Sequence, residues 1–407
     1  MRSVSHKERK ERKGARDLSL AETQRHRGWE LRRLKSIFRP HKIVVGKRCN
    51  EYNLLSLSLR GVIKRDMDNP EGKFPASFET YQEVSPGDFV FCMFDNEETP
   101  RAVGLSSLRG MITGAYDVMS LIDDGVNKDY LNYYFLWVDD GKRLKPLYKG
   151  LRKTVPLDSF LSSKIPLPPL PEQEAIVKYL DEATGKIDKA IEAEEKMVAL
   201  LQERHEIVIN EAVLSRGWRG AKRLKTILSE TRDLSTTGKE LPLSLTATDG
   251  IIPFSKKKNR TLENDTYVGT KIVRKGQIVF NRFRARLFAV SGYDGLVSPD
   301  YAVFSVGAEA DARYLVYMFN TMAFKAQLNL LASGIGDGFS RVYAKDLLSV
   351  SIQLPPLPEQ EAIVKRLDEE TGKIDRAIAV KRRQIELLRE RREIIINEVV
   401  TGKVKVA

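Results

Sequence analysis

Two kinds of hydrophobic pattern alternate along the chain. Short apolar or β-branched runs bounded by Gly, Pro, Asp and Asn fill residues 27–165 and return over 216–352. The clearest, at 87–94, 270–273, 276–280, 287–290 and 301–306, predict strands. Helical spacing appears inside the same regions at 128–138 and 312–331. Residues 166–215 and 353–407 are different, because their apolar positions recur at alternating steps of three and four, allowing for gaps. Ile187, Ile191, Val198, Leu201, Val208 and Ala212 form one series, and Ile374, Ile378, Ile385, Leu388, Ile395 and Val399 the other. That is heptad a/d spacing, the seam of a coiled coil. Pro171 and Pro358 suit the first helical position, where a missing N–H costs nothing. Glu172, Glu174, Glu359 and Glu361 then complement the positive helix end, while Pro168-Pro169 and Pro355-Pro356 keep the approach extended.

The two helical stretches are copies. Leu167 opens LPPLPEQEAIVKYLDEATGKIDKAI, and Leu354 opens LPPLPEQEAIVKRLDEETGKIDRAI, 187 residues later and without a gap. A weaker echo precedes each copy. Gly28-Trp29 is matched by Gly217-Trp218, Pro86-Gly87-Asp88-Phe89 by Lys275-Gly276-Gln277-Ile278, and Gly110-Met111-Ile112 by Gly295-Leu296-Val297. The organisation is therefore variable, constant, variable, constant. Each variable region is long enough for its own mixed α/β (α+β) core.

A helix from Glu172 to about Ser215 runs about 65 Å. Gly185 and Gly372 lie inside the two helices and each costs about 1 kcal/mol relative to alanine, so a kink or break there is open. A surface helix of that length has little globule beneath it, which makes the two copies each other's natural partners rather than helices docked on their own domains. Both seams are interrupted at the same steps, by Glu194 and His205 in one and by Lys381 and Arg392 in the other. An antiparallel pairing with Ile187 near Val399 sets Glu194 across from Arg392, and a parallel one sets it near Lys381. Charge alone does not choose.

Lys plus Arg number 68 against 55 Asp plus Glu, a formal charge of +13, which favours a polyanionic partner, nucleic acid before membrane. The basic residues are clustered. Arg282, Arg284 and Arg286 alternate with Phe283, Ala285 and Leu287, so a strand would carry all three guanidinium groups on one face. Lys256, Lys257, Lys258 and Arg260 form another group, and Arg60, Lys64 and Arg65 a third. In the first region Lys142, Arg143, Lys145, Lys149, Arg152 and Lys153 surround Tyr148, ahead of a predicted strand at Val155. The matching place in the second region is a glycine-rich loop from Ser333 to Arg341, which can bring backbone amides near a phosphate. Arginine forks suit guanine edges, and lysines mostly neutralise phosphate. Most of these charges taken singly read better as solvated surface groups; the 282–286 row and the 142–153 cluster are the ones that favour nucleic-acid contact. The basic tail over residues 1–26 has little hydrophobic content and is expected to be disordered.

Enzyme chemistry is hard to place. Thr237-Gly238-Lys239 is followed by Glu240 where a phosphate-binding loop needs Ser or Thr, and Asn69-Pro70 is followed by Glu71 rather than by the second proline of an amino-methyltransferase motif. Pro299-Asp300 lacks the rest of a nuclease core, and Gly334–Gly336 is a weak dinucleotide signal. His6, His26, His41 and His205 are scattered, and Cys49 and Cys92 make neither a disulfide framework nor a zinc site. With no long apolar run, the chain is expected to be cytoplasmic, without membrane contact.

Two variable regions, each closed by Ile-x-Leu-Pro-Pro-Leu-Pro-Glu-Gln-Glu-Ala-Ile-Val at 165–177 and 352–364 and by a long helix, resemble the specificity subunit of a type I restriction-modification enzyme. The resemblance covers nearly everything after residue 27. It implies two target recognition domains on double-stranded DNA, each reading half of a bipartite, asymmetric site. It also implies that the helices form an antiparallel coiled coil with pseudo-twofold repeat, which spaces the readers and docks partner subunits. Two methyltransferase subunits carrying S-adenosylmethionine would modify adenine, and restriction subunits using ATP and Mg would cleave. No catalytic residue and no cofactor falls to this chain. A solitary two-domain DNA-binding regulator is the alternative reading.

Overall fold

A computed structural model describes residues 29–66, 75, 77–214, 220–247, 249–257, 266–283, 286–332 and 341–406. The basic tail therefore lies outside the described residues. The chain divides into two compact units, Met1–Ala193 with Gln384–Ala407, and Glu194–Arg383.

In the first unit the strands run β1 (Glu30–Arg33), β2 (Phe38–His41), β3 (Leu55–Ser58), β4 (Gly61–Lys64), β5 (Gln82–Val84), β6 (Phe89–Phe91), β7 (Val103–Leu105), β8 (Gly110–Ile112) and β9 (Asp117–Leu121). Helices α1 (Lys128–Asp140) and α2 (Leu157–Ser162) and strand β10 (Lys164–Leu167) follow, and the long helix α3 (Leu170–Val213) begins here and passes into the second unit after Ala193. The second unit repeats the plan with β11 (Ala221–Arg223), β12 (Leu228–Thr231), β13 (Leu243–Thr246), β14 (Gly250–Pro253), β15 (Lys271–Val273), β16 (Ile278–Asn281), β17 (Phe288–Val290), β18 (Gly295–Val297) and β19 (Tyr301–Val306). Then come α4 (Ala312–Phe319), α5 (Met322–Leu330), α6 (Ala344–Ser349) and β20 (Ser351–Gln353), and the second long helix α7 (Leu357–Val400) begins here and passes into the first unit after Arg383.

The repeat read from the sequence is a repeat of topology. A four-stranded antiparallel sheet has the order β2-β9-β6-β7 in one unit and β12-β19-β16-β17 in the other. The smaller pairs also correspond: β1 with β10 and β11 with β20, β3 with β4 and β13 with β14, β5 with β8 and β15 with β18. Side chains alternate across a strand, and here both faces are covered. Phe89 and Phe91 of β6 join Tyr130, Tyr134 and Phe135 of α1 on one face, while Val90 meets Leu55, Val62, Val84 and Ile112 on the other. Ile278 and Phe280 against Val279 divide in the same way in β16. Gly110 and Gly295 are glycine for the same reason in each unit, because a Cβ there would stand 2.4 Å from Asn53 O and 2.3 Å from Leu241 O.

The predicted strands are found, most of them shorter than the apolar runs that suggested them. The helix predicted over 312–331 is split. Asn320 turns its side chain to the backbone of Phe288, donating from Nδ2 to its carbonyl at 2.9 Å, and Thr321 accepts from Phe324 N to cap α5. Val155 is not in a strand; its N–H donates to Met93 O at 2.7 Å, and Pro156 then leads into α2.

Both long helices are unbroken through Gly185 and Gly372. All the predicted seam residues are buried or half-buried. In the second unit Glu194 meets Lys381 at 2.9 Å and His205 Nε2 lies 3.6 Å from Asp375 Oδ1, so one helix ascends as the other descends. The pairing is antiparallel. Its register differs from the one drawn from the seam: Glu194 faces Lys381 rather than Arg392, and Arg392 donates from Nε to Asp188 in the first unit at 2.9 Å. The offset of roughly two to three helical turns is set by the cores. Val208, Ala212 and Val213 of α3 are sunk in the second unit's core, and Ile396, Val399 and Val400 of α7 in the first unit's.

Candidate nucleic-acid interface

In the second unit three cations from separate segments converge. Lys271 opens β15 and donates from Nζ to Tyr301 O at 2.5 Å. Arg282 follows β16 and donates from Nε to Asp300 O at 2.5 Å and from Nη2 to Pro299 O at 3.3 Å. Arg341 donates from Nη2 to Asp300 Oδ1 at 3.3 Å, and its guanidinium lies 5.1 Å over Phe283 and 5.5 Å over Tyr343. The backbone joins two of them, since Val342 N donates to Arg282 O at 3.0 Å. Burial, followed by the nearby Arg282, Arg232 and Arg341, pulls the Lys271 ammonium below its usual range. Burial and Arg341 do the same to Arg282, against the opposing Asp300 and Glu230. Like charges held this close disfavour one another until an anion arrives. Arg341 Nε is buried without a hydrogen-bond partner among the described residues. Three cations beside two aromatic rings make this a candidate anion site.

The expected arginine row does not form. β16 ends at Asn281, and the chain turns so that Arg286 N donates to Phe283 O while Arg286 takes φ +39°. Arg286 is buried and donates from Nη1 to Asn329 Oδ1. Its guanidinium is spent inside the unit; Arg284 lies outside the described residues. We expect Arg286→Leu to lower stability by about 2 kcal/mol, through the lost charge-assisted bond to Asn329 and poorer packing around position 286, with DNA affinity unchanged. Urea unfolding and filter binding on the same variant check both halves of that statement.

The first unit's cluster is largely neutralised by residues 95–97. Lys145 and Lys153 both bind Glu97, the former at 2.8 Å, and their hydrogen bonds hold that carboxyl down at about 2. Tyr148 OH donates to Asn96 Oδ1 at 2.9 Å. Arg152 is the exception in geometry. Asp95 takes its Nε at 3.3 Å and Nη2 at 2.6 Å, and Phe94 lies 5.1 Å under the guanidinium. Side-on pairing leaves the Nη1 end pointing away from the carboxylate, the edge with which arginine forks onto guanine. Lys149 is exposed, pairs its backbone with Thr154, and flanks the wholly exposed Leu151 at the loop tip. Arg152 over Phe94 and Arg341 over Phe283 are the same device in the two units, each with an aspartate partner.

The remaining candidates are dispersed. Arg60 is exposed at the β3–β4 turn, where its N–H donates to Ser58 Oγ, and Lys64 is exposed at the end of β4. Arg65 N donates to Leu54 O at 2.8 Å. Lys256 is exposed in a single turn, Lys257 Nζ lies 5.7 Å from the Phe254 ring, and Arg260 and the glycine-rich stretch 333–340 fall outside the described residues. The sequence pointed to Arg282 and Arg341 but not to Lys271 or Arg232. Lys271 lies a few residues before Arg274 and Lys275 in the chain, apart in pattern from Arg282 and Arg341, and only folding brings it to those two.

The sequence pattern of the family described as Type I restriction modification DNA specificity domain matches residues 108–196 and 229–388. The chain belongs to this specificity family. Among its relatives, the putative type I restriction enzyme MjaX specificity subunit of Methanocaldococcus jannaschii is 27% identical over 356 residues, covering 79% of each chain. The type I restriction enzyme MjaVIII specificity subunit of the same organism is 33% identical over 96 residues, 24% of this chain and 21% of that one. A chain solved in work on complex assembly and conformational transition of the type I R-M system shares the fold, with a TM-score of 0.65 at 15% identity over 93% of this chain and 98% of its own. The two matched segments of the specificity family fall one on each variable region and its helix. Among the described residues no helix is long and apolar enough to cross a membrane.

Proposed function

We propose that this chain is the non-catalytic DNA reader of a type I restriction-modification enzyme, with each unit reading one half of a bipartite, asymmetric target. The convergence of Lys271, Arg282 and Arg341 against aromatic faces carries the reading, because such a site is poised for a phosphate and a base edge together. In the first unit Arg152, buttressed by Asp95, is the base-reading candidate, and Lys149 the phosphate contact. We assign Lys64, Arg60, Arg65, Lys256, Lys257, Lys145 and Tyr148 to the margins of the contact. The two units differ in these residues, so the two half-sites differ and the target is no palindrome.

Adenine methylation with S-adenosylmethionine, and cleavage driven by ATP and Mg, fall to partner subunits. Their docking is supported by apolar side chains left outside the seam. Met197, Leu200 and Ile207 of α3 are exposed in the second unit, and Leu387 and Ile394 of α7 in the first. Exposed leucines and isoleucines at heptad steps on a paired helix suit a further helix from another chain. The test is a domain exchange in the assembled enzyme, with methylated adenines mapped across a genome. Replacing residues 27–165 with the first variable region of another specificity subunit is expected to change one half-site and leave the other. A change in both, or in neither, refutes the assignment of one half-site to each unit.

A further inference from the structure

The two units treat one position near the end of a long helix in opposite ways. In the first unit Trp137, on the last turn of α1, donates from its indole Nε1 to Asn397 Oδ1 at 2.5 Å, with the Arg143 guanidinium 4.2 Å over the ring. Asn397 lies in Ile396-Asn397-Glu398 near the end of α7, and the repeat matches it with Asn210 in Ile209-Asn210-Glu211 near the end of α3. Other shared contacts fix the match on the opposing helix. Asn127 caps α1 and Asp311 caps α4, each accepting from the second and third residues beyond it. Tyr133 OH donates to Asp181 at 2.7 Å, and Tyr317 OH to Asp368 at 2.9 Å. The fourth residue after each tyrosine is Trp137 in one unit and Thr321 in the other.

Thr321 cannot do what Trp137 does. Its hydroxyl donates to Met318 O at 2.7 Å and accepts from Phe324 N at 3.2 Å. Asn210 Oδ1 is left buried with no hydrogen-bond partner among the described residues. Where the first unit has an indole, the second has a largely apolar cavity of about 610 Å³, walled by Ile209, Leu287, Phe288 and Val316 and reaching both Asn210 and Thr321. The space remaining beside Trp137 in the first unit is about 320 Å³.

We propose that this cavity of the second unit binds an indole-type ring, flat, aromatic and bearing one N–H, which donates to Asn210 Oδ1 as Trp137 donates to Asn397. The apolar walls favour the ring by removing its faces from water. The buried amide oxygen selects for the N–H, since a ring without one leaves that oxygen unpaired and loses about tenfold in affinity. The ring can come from a free heterocycle or from a tryptophan side chain of another polypeptide. The site lies within the second unit, apart from the cationic cluster, and stands whether or not the DNA reading holds.

Titration calorimetry of the full chain with indole itself tests this. Saturable binding is expected, with 1-methylindole, which lacks the N–H, about tenfold weaker. Thr321→Trp, which supplies the ring from within, is expected to abolish indole binding. Asn210→Leu is expected to bring indole to the level of 1-methylindole, and this comparison does not depend on the bulkier variant folding. N-acetyl-tryptophanamide binding as tightly as indole assigns the site to a side chain; indole binding without it assigns the site to a free heterocycle. No binding of indole, equal affinity for 1-methylindole, or indole affinity unchanged in a folded Thr321→Trp protein would overturn the proposal.

Discussion

Gln360→Leu is expected to cost about 3–4 kcal/mol of unfolding free energy, although it exchanges one side chain for another of similar size. Gln360 is wholly buried, and all its polar groups are used. Its Oε1 accepts from Asp311 N at 2.8 Å, and its Nε2 donates to Pro355 O at 2.7 Å and to Glu309 O at 3.1 Å. One amide thus ties the proline approach of α7 to the start of α4. Leucine would leave an N–H and two carbonyls short of partners, each worth about 1–3 kcal/mol when buried and somewhat less at the half-exposed Glu309. Gln173 repeats the clamp in the first unit, accepting from Asn127 N at 2.8 Å and donating to Pro168 O at 2.8 Å, and Gln173→Leu should behave alike. Urea unfolding measures the loss, with the neighbouring Glu359→Gln, outside the clamp, within about 0.5 kcal/mol of the parent. A cost below about 1 kcal/mol for both leucine variants would show that water replaces the amide. The Glu-Gln-Glu of the repeated motif thereby acquires a physical reason, since its middle residue is a staple.

Substituting Lys271→Ser, Arg282→Ser and Arg341→Ser together should lower DNA affinity on the order of a hundredfold near 0.15 M salt. Each phosphate that is no longer neutralised takes about 0.9 from the slope of log affinity against log salt, so the triple variant should be flatter by up to about 2.7. Folding should be little affected. The missing bonds to the Tyr301, Asp300 and Pro299 carbonyls are offset by relief of repulsion among cations that already depress Lys271 and Arg282. Fluorescence anisotropy at several salt concentrations, beside a thermal melt, separates the two effects. An unchanged slope with a lowered melting midpoint would make the cluster a structural feature.

The long helices were legible because a three-four alternation over eight positions, six of them apolar, repeated 187 residues later, has no other compact explanation. Their register was not. Glu194 and Arg392 attract across the seam as well as Glu194 and Lys381 do, so charge is nearly degenerate among registers. The choice falls to Val213 and Val400, which must sit in cores built by short strands. The arginine alternation at 282–286 failed for a related reason. Period two means a strand only where the backbone stays extended, and Arg286 at φ +39° turns its guanidinium inward to Asn329. The cluster of residues 142–153 was visible as charge, but its neutralisation by Asp95 and Glu97 was not, because those acids come from a distant stretch of chain. Clusters in sequence report where cations are dense; folding decides which of them remain unanswered.

The burial of Ile396, Val399 and Val400 among Phe160, Leu167 and Leu180 has a consequence for biosynthesis. A ribosome makes the first variable region early, yet that region stays incomplete until residues near position 400 emerge. The second unit, one continuous stretch, can close sooner. Domains made first usually settle first, and here the order is reversed: the leading half waits, with an unfilled apolar groove, for the last helical turn of the chain. Loss of that turn would strike the opposite end of the sequence, leaving its nearer neighbour folded.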